Sequence, residues 1–357
     1  MFPWEVASRF GLDDVVVDAE PFGAGLIHET WRVEAAGRSY LMQRMNEDVF
    51  GDARMVVANA AATADRVDDA LTAAGDHDPR HRLVYLRTPE GQRWVEEPRG
   101  AIWRAMPQIA VSRPPNLQDA AEVRNAAEAL GRFPFLVAAG RGPDPVEVLP
   151  GFHDTPARLE AFRRALEDDV AGRRAGCARL ADRLLEMAPI AGMLDGPLRR
   201  GELPIRPVHN DAKLDNVLVD AATGEALCVV DLDTVMPGLL AHDFGDLVRS
   251  AVSGAAEDEA DLGSINVDMG RFADLARGYL RGVSEEIGEV ERASLVTGAL
   301  VITYEQALRF LGDHLAGDRY YAVSDAEHNL RRGHAQVQLL EQLIAAEYGM
   351  QDIVGRG

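Results

Sequence analysis

His209-Asn210-Asp211-Ala212-Lys213-Leu214-Asp215-Asn216 spells H-x-D-x-K-x-x-N. It runs through Val217-Leu218-Val219-Asp220 and a turn at Thr223-Gly224 into the apolar strand Leu227-Cys228-Val229-Val230, which delivers Asp231. This loop, strand and acid frame fits in-line phosphoryl transfer. That chemistry needs a carboxylate to receive the attacking hydroxyl's proton, a lysine near the transferring phosphate, and amide and carboxylate oxygens for Mg²⁺. Asp211, Lys213, Asn216 and Asp231 fill those places in that order. A polar loop before a buried strand, its acids merely solvated, is the plainer reading. Four roles at fixed spacing outweigh it.

The eight-residue string resembles the catalytic loop H-R-D-x-K-x-x-N of the protein-kinase-like superfamily, with Asp231 in the place of the D-F-G aspartate. Asp231-Leu232-Asp233 departs from D-F-G. An apolar residue and then a second acid are more typical of the small-molecule branch: aminoglycoside, choline and homoserine kinases. The resemblance implies an α+β, bilobal fold with a small antiparallel-sheet N-lobe (1–105) and a larger, mainly helical C-lobe (106–357). It also implies ATP and Mg²⁺ as cofactors.

Upstream, Phe22-Gly23-Ala24-Gly25-Leu26-Ile27-His28-Glu29-Thr30 leads into the alternating strand Trp31-Arg32-Val33-Glu34. Glycines in such a loop let backbone N–H groups approach phosphates. Gly23, Gly25, His28 and Thr30 are thus nucleotide-side candidates, although a plain hairpin turn is as common. The next strand, Ser39 to Met45, should bring a cation to the phosphates, yet it contains no lysine. Arg44 is the candidate, but Gln43 and Arg44 must face opposite ways on a strand, so only one enters the cleft. The alanine-rich helix from Asp52 to Leu71 has no glutamate at its centre to pair with a strand cation. Three short strands, Arg82 to Arg87, Gln92 to Glu96 and Ala101 to Ala105, should form a meander. Met106 and Gln108 then sit in Met106-Pro107-Gln108-Ile109, where a hinge would offer backbone groups to adenine.

Downstream lie helices at Leu117 to Arg132, capped by Asn116, then from Asp154-Thr155-Pro156 to about Asp169, and Arg173 to Met187. Three longer ones follow, Asn266 to Glu286, Glu289 to Leu315 and Asp325 to Tyr348. Asp231-Leu232-Asp233-Thr234-Val235-Met236-Pro237-Gly238 and Asp243-Phe244-Gly245-Asp246 are similar to strings of the N-acetylhexosamine 1-kinases. So are Phe152 to Pro156, Arg309 to Asp318 and His328 to Arg332. The resemblance, spread over residues 22 to about 336, implies phosphorylation of the anomeric hydroxyl of a hexosamine. His153, Asp154, Asp246, Arg249, Arg309 and Asp318 are the candidates for touching the sugar, each otherwise a helix cap or an ion pair. Asp233 could add a metal ligand through water or cap the following turn. His209 and Asp243 read as braces of the catalytic loop. Tyr320 or Tyr321 could stack on a ring, though a core role is commoner.

A formal net charge of −21 argues against nucleic acid and anionic membrane as partners. Two cysteines, Cys177 and Cys228, give neither a disulfide framework nor a metal spacing, so a reducing cytoplasm is the simplest setting. No apolar stretch is long enough to span a bilayer. Two rivals stand beside the sugar kinase. One is the same fold acting on an aminoglycoside or another small alcohol. The other is a catalytically inactive nucleotide-binding module, favoured by the missing lysine and glutamate.

Overall fold

Period-two alternation in Glu29–Ala35 (β2) and Arg38–Arg44 (β3) folds as a hairpin whose turn carries Gly37 at φ 71°, a left-handed value that glycine adopts without a Cβ penalty. The computed structural model describes residues 2–12, 16–22, 27–35, 37–283 and 287–356. Around that hairpin, Val16–Pro21 (β1), Val95–Glu96 (β4) and Ile102–Pro107 (β5) complete an antiparallel sheet of order β1-β2-β3-β5-β4. Helix α1 (Pro3–Arg9) covers one face, with Val6 and Ala7 packed among Val33, Tyr40 and Trp103.

A short helix α2 (Glu47–Phe50) precedes α3 (Ala53–Ala73), which Asp52 caps by accepting the Met55 N–H at 3.0 Å. The expected first strand of the meander, Arg82 to Arg87, is instead an irregular strap. Leu86 N–H reaches the Ala105 carbonyl at 2.8 Å, but the Tyr85 carbonyl is taken by the Arg93 side chain and no continuous ladder forms.

Beyond β5 the chain becomes mainly helical. Two small antiparallel elements interrupt it: Ser112–Arg113 (β6), Val217–Asp220 (β8) and Ala226–Val229 (β9) form one, and Arg206–Val208 (β7) with Met236–Gly238 (β10) the other. Helix α4 (Ala120–Ala139) is capped by Asp119 rather than Asn116. It also runs through Pro134, past the expected end at Arg132. Next come α5 (Thr155–Asp168), α6 (Arg174–Glu186), α7 (Asp195–Arg199), α8 (Leu240–Ala251), α9 (Met269–Val283), α10 (Glu289–Ala316) and α11 (His328–Arg356).

One hydrophobic core joins α4, α5, α6 and α8 to α11, with Phe162, Phe244, Phe272 and Tyr279 at most 1% exposed. Burying one such aromatic side chain stabilises by about 2–3 kcal/mol relative to exposure. α8 and α10 touch through glycines: a β-carbon on Gly298 would stand 1.8 Å from the Ala241 carbonyl oxygen, and one on Gly245 2.4 Å from that of Gly298. This contact fixes α8, which carries Asp243, Asp246 and Arg249. Among the described residues no helix is long and apolar enough to cross a membrane.

Candidate active site

The sheet and the helical part meet over a cleft of about 530 Å³ whose floor is the 209–216 loop and the 231–234 turn. Asp243, fully buried at the start of α8, shapes that loop. Its carboxylate accepts the His209 N–H at 2.8 Å and the Asn210 N–H at 2.7 Å. Burial pushes Asp243 up to about 6, against the pull of His209 and the two amides. Asn210 sits at φ 61°, and its side-chain amide donates to the Thr234 carbonyl at 3.0 Å. The Thr234 hydroxyl donates to the His209 carbonyl, and His209 Nε2 donates to that of Val230, so loop and turn are laced together.

Asp211 Oδ1 lies 2.9 Å from Lys213 Nζ, and its Oδ2 accepts from Asn216 Nδ2 at 3.1 Å. Burial raises the Asp211 carboxyl, but Lys213, His209 and Arg249 together outweigh it, and the net shift is downward. Lys213 is raised, first by Asp211. Asp231 lies in the left-handed region at φ 61° and opens to the cleft. Its carboxylate makes no hydrogen bond or ion pair among the described residues. The protein crowding it, then the charges of Asp233 and Asp211, push it upward.

Asp231 offers an uncompensated carboxylate, and Asn216, whose amide nitrogen is engaged by Asp211, keeps its oxygen available, a pair of donor types suited to Mg²⁺. Among the described residues no three His, Cys, Asp or Glu side chains converge as a self-sufficient cage. A Mg²⁺ held by Asn216 and Asp231 would therefore need oxygens from a bound phosphate, the usual habit of that ion.

Asp233 cannot serve as a free ligand. Both its oxygens are bound by Arg104, Oδ2 at 2.9 Å from Nη2, and His28 Nε2 donates to the same Oδ2 at 2.7 Å. Burial would raise its pKa, but Arg104 and His28 together prevail and the net shift is strongly downward. His28 Nδ1 accepts the Asn46 N–H at 3.1 Å, so the ring proton is on Nε2. The network continues through Gln43, whose Oε1 accepts from Arg104 Nε at 2.8 Å and whose Nε2 donates to Thr30 Oγ1 at 3.1 Å.

The expectation for Arg44 is thereby corrected. Gln43 enters the cleft, and Arg44 lies on the other face of β3, 3.3 Å from Glu29. The buried cation here is Arg104 on β5, opposite Gln43. Its signal in the sequence was a lone arginine inside the apolar strand Ile102-Trp103-Arg104-Ala105-Met106, which demands a buried partner.

Gly23 and Gly25 lie outside the described residues. Met106 is buried in β5 opposite Leu41, and the Gln108 N–H is engaged by the Ser39 carbonyl at 2.9 Å, so that amide is not available to a base.

Of the candidates for the acceptor, Asp246, Arg249 and Arg309 line the cleft. Asp246 pairs with Arg249 at 2.7 Å, and Arg249 reaches Glu257 at 3.0 Å. Arg309 stacks over the rings of Phe152, Tyr320 and Tyr321 at 5.1, 5.5 and 5.6 Å. Gln306, Arg319, Arg332 and Glu257 also line this end, and sequence reasoning did not select them.

Three candidates are engaged otherwise. Asp154 caps α5 through the Ala157 N–H. Asp318 is tied to Arg173 and to Asn329 Nδ2. His153 lines the cleft, but both its ring nitrogens have protein partners, Glu305 and Asn210. Asp313 organises the aromatic loop, accepting the N–H groups of Arg319, Tyr320 and Tyr321 at 2.9 to 3.0 Å.

An antiparallel sheet over a helical part, with an H-x-D-x-K-x-x-N loop and a strand-end aspartate where they meet, is a kinase-like fold of the phosphotransferase class. The chain belongs to the phosphotransferase enzyme family APH, whose family model matches residues 18–282. Among solved structures it is similar to an aminoglycoside phosphotransferase from Alicyclobacillus acidocaldarius, with TM-score 0.60 and 14% identity over 100% of this chain and 97% of that one. It is also similar to a choline/ethanolamine kinase family protein from Mesorhizobium loti, with TM-score 0.57 and 18% identity over 99% and 97%. A third is an ethanolamine kinase from Plasmodium vivax, with TM-score 0.60 and 11% identity over 94% and 87%.

Proposed function

We propose that this protein is an ATP- and Mg²⁺-dependent kinase acting on a small neutral sugar, transferring phosphate to the anomeric hydroxyl of an N-acetylhexosamine. The observation that carries the acceptor class is the charge of the cleft's far end. Arg249, Arg309, Arg319 and Arg332 line it against Asp246 and Glu257. Neither Arg309 nor Arg319 pairs with a carboxylate among the described residues. An amine cation such as choline or an aminoglycoside would meet repulsion there. A neutral pyranose finds guanidinium and amide donors plus the exposed ring of Tyr320 as a platform. The structures it resembles are named for aminoglycosides and for choline or ethanolamine, and the arginines argue that this chain departs from them in acceptor. A spectinomycin phosphotransferase of similar fold was solved with ADP and spectinomycin, which supports a nucleotide donor in the same kind of cleft.

Asp211 would accept the acceptor hydroxyl's hydrogen bond, align its oxygen with the γ-phosphorus and take the proton as the bond forms. Lys213, 2.9 Å from Asp211, would direct its charge towards the transferring phosphoryl group. Asn216 and Asp231 would hold Mg²⁺, which when bound neutralises charge on the β- and γ-phosphates. Arg104 and Gln43 hold the inner end in place of a strand lysine, and the hinge between lobes falls at about 106–109.

The test offers MgATP with N-acetylglucosamine, N-acetylgalactosamine, plain hexoses, choline and aminoglycosides, reading products by ³¹P NMR. The expected product is a sugar 1-phosphate that Asp211→Asn abolishes. Turnover confined to choline or aminoglycosides would refute the acceptor. Equal nucleotide binding by wild type and Asp211→Asn, with no turnover of any acceptor by either, would establish the inactive module instead.

A further inference from the structure

His153 lies just ahead of α5, yet its ring joins α10 to the catalytic loop. Nδ1 is 2.9 Å from Glu305 Oε1, and Nε2 is 3.0 Å from the carbonyl oxygen of Asn210. A carbonyl only accepts, and so does an ionised carboxylate. A neutral imidazole has one N–H and satisfies one of the two, whereas an imidazolium donates to both. Glu305 is in no position to supply the missing proton at neutral pH. Thr155 Oγ1 donates to its other oxygen at 2.6 Å. Burial raises Glu305, but the charge and hydrogen bond of His153, together with Arg309 and Thr155, hold it at about 2. The His153 ring, which burial alone would discharge, is correspondingly raised by Glu305.

The other groups around the ring agree with one fixed positive charge. From α8, His242 packs its ring 4.9 Å away and is driven down to about 3, by burial and then by His153, so it stays neutral. Its Nδ1 has no hydrogen-bond partner among the described residues. Asp243, also on α8, is occupied by the His209 and Asn210 amides. Glu305 and Arg309 face the ring from α10, and the Phe152 ring meets it edge-on at 4.6 Å. On the loop itself, Asp211 follows the residue that His153 holds. Asn210 is thus gripped on both sides, its N–H by Asp243 and its carbonyl by His153, at a left-handed φ of 61°.

We propose that His153 is a positioning residue for phosphoryl transfer. As an imidazolium bridging Glu305 to the Asn210 carbonyl, it fixes the peptide plane between Asn210 and Asp211 and so the aim of the Asp211 carboxylate. Loss of its proton leaves one of the two bonds unmade and releases the loop, giving turnover an alkaline limb that belongs to His153. This rests on reading Asp211 as the base that receives the hydroxyl proton.

Two measurements test it. Long-range ¹H–¹⁵N spectra of histidine-labelled wild type should show both His153 ring nitrogens protonated at neutral pH, with the titration displaced upward from an ordinary histidine. A neutral ring would overturn the proposal, whatever the acceptor. Steady-state profiles with MgATP and N-acetylglucosamine then compare wild type with His153→Gln and Glu305→Gln, each checked for folding by circular dichroism. His153→Gln should lower kcat by roughly 10–100-fold, as misaimed catalytic groups do, with both KM values little changed and the alkaline limb gone. Glu305→Gln should move that limb to lower pH. An unchanged kcat with the limb intact, or a rise in acceptor KM alone, would overturn the positioning role. If wild type turns over no acceptor, the reading of Asp211 fails and the positioning role falls with it, while the charge seen by NMR stands.

Discussion

Asp211 and Asp231 lie in the same cleft but are compensated in opposite ways. The first is held down by Lys213, and the second has no partner among the described residues and is pushed up by burial and then by its acidic neighbours. For the proposed base, Asp211→Asn should lower kcat by about 10²–10⁴-fold and leave the affinity for MgATP, read by calorimetry, nearly unchanged. Arg104→Met strips a fully buried carboxylate of its cation. Such a break costs about 3–5 kcal/mol, so urea midpoints should fall sharply, and the double variant with Asp233→Leu should recover part of the loss. The grouping of Asp211, Lys213, Asn216 and Asp231 was legible because the four lie within 21 positions of one another, and local spacing proposes their roles. Arg104 was not, since its carboxylate partner lies 129 residues away. Strand alternation said that Gln43 and Arg44 part company, and only the pairing with β5 says which way.

Helix α8 is the element on which the 209–216 loop hangs, and its seat against α10 is made by missing side chains. Gly298→Ala would force a β-carbon into the Ala241 carbonyl. The two helices must then separate, at a cost of about 1–3 kcal/mol for overpacking, and Asp243 withdraws from the loop amides. Thermal melts should show the loss of stability, and kcat should fall with it. Periodicity located the long helices well because each hides one apolar stripe. It could not foresee that α4 passes through Pro134, whose neighbours Phe133 and Val137 are packed in the core. Nor could it foresee that the Arg93 side chain takes the Tyr85 carbonyl of the 82–87 strap.

At the level of the whole molecule, acid should loosen the join between α10 and the residues ahead of α5. Glu305 is depressed in the folded state to about 2 from an ordinary 4.5. Its contribution to stability is complete above the ordinary value and drains away as the pH falls towards about 2. The difference in melting temperature between wild type and Glu305→Gln should therefore be largest at neutral pH and shrink through the acid range. A difference that grows on acidification would contradict the sign.

The buried contact of Asp233 with Arg104 and His28 has a mechanical meaning as well. It joins the sheet to the 231–234 turn at the floor of the cleft, through an arginine and a carboxylate each at most 2% exposed. Parting them there would strand two charges out of water. Separating the sheet from the 231–234 turn is therefore costly at this point. The ion pair is in that sense a pin between sheet and turn at the floor of the cleft, and moving one against the other costs most there.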